Sequence, residues 1–320
     1  MTSGVRTAKV LAFAKINLDL RVLYRRSDNY HELRTVFQTI SLADRIQITF
    51  APSRKTSIEI RGNVEIADNL MGRAANACLA AMRTTGRVVF ELDKRIPMGA
   101  GLGGGSSDAA AVLLALPVLA GKPLGWPTLL KLATDLGSDV PFFLLGGTAV
   151  ALGRGTELYP LPDHPPARGL LIAPEIHVST ADAYRRLSAE LTTESQQNKI
   201  VSFQSSVWQG SVPGPAEAES SYGQNDFETV VFSSHPELKL IKRRLLKWGA
   251  KPALMSGSGS AVFGLFPDRD KLHRAIQSLR GERSFPIKLV SRGKYRSEWW
   301  KSLRAHTKEN LWPPLSRYAR

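Results

Sequence analysis

The chain has 320 residues, of which 43 are Lys or Arg and 28 are Asp or Glu, a net charge of +15. That length accommodates two domains, an apolar content of 43% excludes wholesale disorder, and the single cysteine, Cys78, excludes a disulfide framework and a cysteine-based zinc site. No apolar run reaches the roughly 18 residues of a membrane span, and no hydrophobic signal segment follows a basic start, so a cytoplasmic protein without a membrane partner is expected.

The charge is unevenly placed. Residues 271–320 hold 13 Lys/Arg and 3 Asp/Glu, a net of +10, and residues 1–270 hold 30 and 25, a net of +5. The body is therefore nearly balanced, and its chemistry is judged apart from the tail's charge.

In chain order, the first third is strand-rich. Residues 10–13 are apolar, and Ile16, Leu18 and Leu20 alternate with Asn17, Asp19 and Arg21. A polar turn at 25–29 follows. Short strands are expected at 45–50, 56–60 and 87–92, and a helix over 70–82. A glycine-rich loop spans 99–108, ahead of an apolar helix at 109–119 and a second helix at 128–136. Residues 137–141 form a loop before the apolar run 142–145. The Pro-rich stretch 160–166 reads as a domain boundary. Residues 192–224 lack sustained apolar periodicity and read as a long loop. A helix at 236–248 precedes the Gly/Ser loop 256–260, which has strand-like flanks.

The strongest local signal is the 99–108 loop. Five glycines in seven residues let the backbone approach an anion, and a helix start just beyond it offers free N–H groups to the same place. Ser106 and Ser107 add hydroxyls for phosphate or Mg²⁺. The P-loop pattern fails because no Lys follows Gly105. Gly99, Gly101 and Gly104 match a dinucleotide pattern, but no acidic residue lies about 20 positions on to hold a ribose. A ligand-free tight turn is the plain alternative. Taken singly, Lys15 reads as a solvated lysine and Asp139 as a helix cap.

Three segments together resemble the GHMP kinases, in that family's order: Ala14-Lys15-Ile16-Asn17-Leu18-Asp19-Leu20, the run from Pro97 to Ser107, and Ser256-Gly257-Ser258-Gly259-Ser260. Asp28-Asn29-Tyr30-His31-Glu32-Leu33, Gly137-Ser138-Asp139-Val140-Pro141-Phe142-Phe143 and Asn225-Asp226-Phe227-Glu228 are similar to the branch acting on a cytidine diphosphate-linked methylerythritol, in the non-mevalonate isoprenoid pathway. Departures are few: Phe13 stands where the family usually has Pro, and Asn29 and Ala100 where Gly is usual.

The resemblance implies an α+β fold of two domains. The N-terminal one would be like the second domain of ribosomal protein S5, with a left-handed βαβ unit, and the C-terminal one ferredoxin-like. Boundaries at 1–163, 164–295 and a basic tail at 296–320 are expected. It implies ATP-dependent phosphorylation of an alcohol, with Asp139 as base and Lys15 as its partner. Pro97, Met98, Gly99, Ala100, Gly101, Leu102, Gly103, Gly104, Gly105, Ser106 and Ser107 would hold ATP with Mg²⁺, and Lys94 would reach the phosphates. Tyr30 and Tyr184 would stack on the cytosine, His31 would bond its edge, and Asn17 would lie near the diol. No protein-only metal cluster is implied, and a monomer or homodimer is expected. A homoserine or mevalonate kinase of the same family remains the alternative.

Residues 291–320 carry 8 Lys/Arg, 2 Asp/Glu and five large aromatics, Tyr295, Trp299, Trp300, Trp312 and Tyr318. Such a stretch could bind single-stranded nucleic acid. The favoured expectation is a tail that packs its Trp rings on the protein, binds no nucleic acid, and can be removed from 296 onward without loss of turnover.

Overall fold

The computed structural model describes residues 4–189, 193–211 and 223–319. A hairpin of two long strands, β1 (Arg6–Arg25) and β2 (His31–Pro52), organises the N-terminal half. β3 (Ser57–Gly62), α1 (Leu70–Ala81) and β4 (Gly86–Asp93) follow, then α2 (Gly104–Ala120), α3 (Trp126–Leu136), α4 (Val140–Leu145), β5 (Thr148–Gly153) and β6 (Glu157–Pro160). One edge of β2 carries β1 along its length; the other carries β5 at residues 33–38 and β4 at residues 45–52. β3 lies parallel to β4, joined through α1. α2 is apolar on every side, and every residue from Ser107 to Leu119 is buried.

The second half holds β7 (Arg168–Ile172), α5 (Thr180–Ser188), α6 (Thr193–Ser211), α7 (Phe227–Ser234), α8 (Pro236–Lys247), β8 (Ala253–Met255), β9 (Val262–Phe266), α9 (Arg269–Ser278) and β10 (Ser284–Lys288). Its antiparallel sheet has the order β10-β7-β9-β8. Helices between β7 and β8 and between β9 and β10 give the ferredoxin-like βαββαβ arrangement. The Pro-rich stretch links the two sheets.

β1 passes through both halves. Ala8, Val10, Ala12 and Phe13 pack in the core under α2. Ala14, Ile16 and Leu18 join a central cluster with Leu102, Leu171 and Phe263. Leu20 and Val22 enter the second core beside Leu170, Ile172 and Phe227. The alternation of polar and apolar residues suggests a strand with one wet face. Instead both faces are covered, and Lys15, Asn17, Asp19 and Arg21 are all buried. Buried polar groups of that kind need partners, and they find them at the junction of the two halves.

Four expectations are corrected. The 192–224 loop is largely the helix α6, whose Phe203 is buried in the central cluster; residues 192 and 212–222 of that region lie outside the described residues. Its Ser- and Gln-rich sequence hides a helix that needs few apolar contacts. α2 begins at Gly104 rather than 109, so Gly104, Gly105, Ser106 and Ser107 form its first turn. The boundary at 295/296 falls inside α10 (Arg292–Leu303). Finally, the tail packs its rings on the protein as expected, but within the core, which argues against removing it from 296 onward. Tyr295, Trp299 and Leu303 are core residues of the N-terminal half, and Trp312 packs against them.

Candidate active site

Lys15 stands at a break in the β1–β2 register between Phe13 and Lys15, the kind of irregularity that re-aims a side chain. Its ammonium is 4% exposed and lies 3.4 Å from Asp139 Oδ2. It donates to Asn17 Oδ1 at 2.9 Å and sits 5.0 Å from the centre of the Phe37 ring. A buried ammonium requires a counter-charge, and Asp139 supplies it. Asp139 occupies the position just before α4, but its side chain makes no capping bond. The carboxylate is instead turned to Lys15 and stays 32% exposed.

Asn17 is a joint. Its Oδ1 also accepts from the Gly257 amide at 2.9 Å, and its Nδ2 donates to Thr35 Oγ1 at 2.7 Å. Thr35 in turn donates to the Asp19 carbonyl at 2.6 Å. Among the described residues only Thr35 takes a hydrogen from the Asn17 amide, which carries two. Asn17 therefore ties Lys15 to the 256–260 loop more than it presents itself to a diol.

The three sequence segments meet at the backbone. The Lys15 amide donates to the Leu102 carbonyl at 3.0 Å and the Ala261 amide to the Ala100 carbonyl at 3.2 Å. Ser256 Oγ donates to the Gly101 carbonyl at 2.9 Å. A Cβ on Gly101 would stand 2.0 Å from the Ser256 carbonyl oxygen, so only glycine allows the approach. Asn225 clamps the same loop, donating to the Met255 and Gly257 carbonyls at 2.7 and 2.8 Å. Ala100 and Leu102 point into the core and offer a ligand only their backbone. Pro97 is buried and Met98 exposed. Gly99, at φ +66, has open space where a side chain would be. Ser107 Oγ is buried and makes no hydrogen bond among the described residues.

Lys94 is paired within the protein beside the start of α2, where a Cβ on Gly104 would lie 3.0 Å from its Nζ. Its ammonium is held 2.6 Å from both Asp44 Oδ2 and Asp108 Oδ2. Asp44 Oδ1 accepts from the amides of Arg95 and Ile96 at 2.6 and 2.8 Å. Lys94 is thus the centre of a buried ion triad that braces the start of the glycine loop. Burial, with the Asp44 charge adding to it against Lys94, pushes the Asp108 carboxyl up to about 7.

A second group of side chains lies beside Asp139. His31 stacks on Tyr184, with ring centres 4.7 Å apart and planes 20° from parallel. Tyr184 meets the edge of Phe227 at 4.8 Å. His31 Nε2 bonds Ser188 Oγ at 2.5 Å. Burial, then the Arg25 charge, holds the His31 ring below its ordinary value, so it is neutral at pH 7. Burial, then the Asp139 charge, pushes the Tyr184 hydroxyl up. Tyr30 is half exposed, and the Arg154 guanidinium lies 3.4 Å from its ring centre. The turn that presents it contains Asn29 at φ +66, a conformation Asn tolerates.

The sequence reading missed Thr35, Asn225, Asp44 and Arg154. Asn225 and its neighbours stood in a recognised motif without a role. Nothing in the spacing signals the other three.

Residues 69–147 match the family described as GHMP kinases N terminal domain, and residues 209–283 match GHMP kinases C terminal. Over 320 residues, 99% of both chains, the protein is 58% identical to 4-diphosphocytidyl-2-C-methyl-D-erythritol kinase of Solibacter usitatus (strain Ellin6076). The chain belongs to the 4-diphosphocytidyl-2-C-methyl-D-erythritol kinase family of GHMP kinases. It is also 38% identical over 286 residues to the kinase of that name from Bacillus mycoides (strain KBAB4), covering 88% of this chain and 96% of the relative. The crystal structure of a 4-(cytidine 5'-diphospho)-2C-methyl-D-erythritol kinase has a TM-score of 0.71 at 39% identity, covering 88% of this chain and 99% of that one. As a GHMP kinase, the chain is a phosphotransferase that acts on an alcohol.

Proposed function

We propose that the chain transfers the γ-phosphoryl group of ATP to the 2-hydroxyl of 4-diphosphocytidyl-2-C-methyl-D-erythritol, giving the 2-phosphate and ADP. The observation that carries the reading is the pairing of Lys15 with Asp139 at 3.4 Å, beside the glycine loop and the His31–Tyr184 stack.

Phosphoryl transfer needs an acceptor for the hydroxyl proton and positive charge near the transferred group. Asp139 accepts the proton. An ordinary aspartate is a weak base at neutral pH, so the proton leaves late and the larger contribution of Asp139 is to orient the hydroxyl. Lys15, 3.4 Å from the Asp139 carboxylate, holds it in place and screens the incoming phosphate. The amides of 99–105 and the first turn of α2 hold the ATP phosphates. The buried, unbonded Ser107 hydroxyl fits a phosphate oxygen or a cation. Ser106 and Ser107 would be the residues to hold Mg²⁺, which when bound neutralises charge between the β- and γ-phosphates.

The neutral His31 ring bonds the cytosine edge, and Tyr184 and Tyr30 supply stacking faces. A homoserine or mevalonate substrate gives Tyr30, His31 and Tyr184 nothing to bind. The single buried cysteine suits a reducing compartment, which supports the cytoplasm as location.

The test is ADP release from ATP and Mg²⁺ with three acceptors: the cytidylated diol, mevalonate and homoserine. Turnover of the cytidylated diol alone is expected. Turnover of mevalonate or homoserine with neglect of the diol removes the assignment.

A further inference from the structure

The C-terminal segment meets the chemistry through α4. This helix has only six residues, Val140–Leu145, far below the roughly 12–15 at which a helix holds itself. Its direction depends on what grips it. Asp139 precedes its first residue, and its last carbonyls have no partner further along the helix.

Three of the carbonyls at that end are taken by side chains from beyond residue 290. The Tyr295 hydroxyl donates to the Phe143 carbonyl. Trp312 Nε1 donates to the Leu144 carbonyl at 2.9 Å. Arg292 Nε donates to the Gly146 carbonyl at 3.2 Å. The donors are themselves fixed. Tyr295 is fully buried and lies 5.6 Å from the Phe13 ring of β1. Trp312 stacks edge-on with Trp299 at 6.5 Å and with Tyr295 at 6.1 Å. The far side of α4 presses on the site. A Cβ at Gly103 would lie 2.8 Å from Phe143 Cζ and 3.2 Å from Lys15 Cγ, so Phe143, Gly103 and Lys15 are packed in one contact.

We infer that Tyr295 and Trp312 are positioning residues for the phosphoryl transfer. By capping α4 from the C-terminal segment, they hold Asp139 at its distance from Lys15. The inference rests on the reading of Asp139 as the proton acceptor. It gives the Trp-rich segment a task in the kinase and leaves its basic charge as the solvated exterior of a structural element.

The test uses the full chain with ATP, Mg²⁺ and the cytidylated diol. Trp312→Phe keeps a ring and loses the donor; Tyr295→Phe loses only the hydroxyl. For each, kcat is expected to fall about ten-fold, since small misplacements of a reacting group are costly, with the KM for ATP changed less than about two-fold. A double-mutant cycle locates the effect. Added to Asp139→Asn, either change is expected to cause no further loss of kcat. A lowered melting temperature with unchanged kcat in both variants overturns the inference, and so does an equal loss in the presence and absence of Asp139. If Asp139→Asn itself turns over at the wild-type rate, the reading of Asp139 falls first and the inference with it.

Discussion

Lys15 Nζ lies 3.4 Å from Asp139 Oδ2, although the two residues are far apart in the chain and belong to a strand and to the start of a helix. The pair predicts the behaviour of Lys15→Met. The Asp139 carboxylate left behind is 32% exposed and water takes the place of the lost ammonium, so the full cost of breaking a buried pair does not apply. Turnover is expected to fall at least about a hundred-fold, through loss of charge stabilisation, while the melting temperature moves little. Steady-state kinetics and a melting curve check this; near-normal kcat would remove Lys15 from the mechanism.

Lys94 is predicted to matter for stability and much less for ATP contact. Replacing it by Met leaves Asp44 and Asp108 facing each other, both buried. Breaking a buried ion pair in this way costs about 3–5 kcal/mol. A large drop in melting temperature is expected. A stable Lys94→Met protein with a many-fold higher KM for ATP would restore Lys94 as a phosphate ligand.

How much of this was legible in the sequence differs by residue. The three motifs were visible, and Tyr30, His31, Lys15 and Asp139 were named as single positions, because a resemblance carries such positions whole. The physical reading alone left Lys15 and Asp139 unconnected, since no local spacing encodes a contact across 124 positions, from 15 to 139. The partners of Lys94 at 44 and 108 were hidden for the same reason: they come together only in the fold. β1 showed in the sequence only as an apolar start at 10–13 and an alternation over 16–21. Its full burial depends on α2, on the second sheet and on residues 223–226, where the Leu20 amide donates to the Gln224 carbonyl at 2.8 Å. The packing of the tail's rings was expected from the sequence; that Tyr295, Trp299 and Leu303 join the core itself was not, because rings that bury themselves alternate with lysines and arginines that stay outside.

Gly103→Val is predicted to injure more than nucleotide binding. The position has φ +69, and the new side chain would meet Phe143 and Lys15. A β-branched residue in that conformation costs about 1–3 kcal/mol before any clash. Melting temperature and kcat are both expected to fall, alongside a weaker ATP affinity. A variant altered in ATP affinity alone would show that the contact with Phe143 and Lys15 yields without consequence.

The His31 ring is held below its ordinary value by burial and then by Arg25. The folded protein therefore resists protonating it, while the unfolded chain protonates near 6.5. Its contribution to stability is present above that pH and is lost as pH falls through the lower folded value. The KM for the cytidylated diol is expected to stay level from about pH 8 to about pH 6.5 and to rise below, as the neutral ring disappears. His31→Phe should start with a higher KM and lack that rise, with the KM for ATP unchanged. A wild-type KM that already climbs between pH 8 and 7 contradicts the neutral-ring account.

The most direct test of the central claim is single-turnover transfer by Asp139→Asn, followed by ³¹P NMR with ATP, Mg²⁺ and the cytidylated diol. The wild-type protein is expected to produce a new phosphate monoester resonance beside the intact diphosphate pair. The variant should bind ATP within about two-fold of wild type and form that product about 10²–10⁴-fold more slowly, the range for loss of a positioned proton acceptor. Product formation by Asp139→Asn at the wild-type rate would contradict the account.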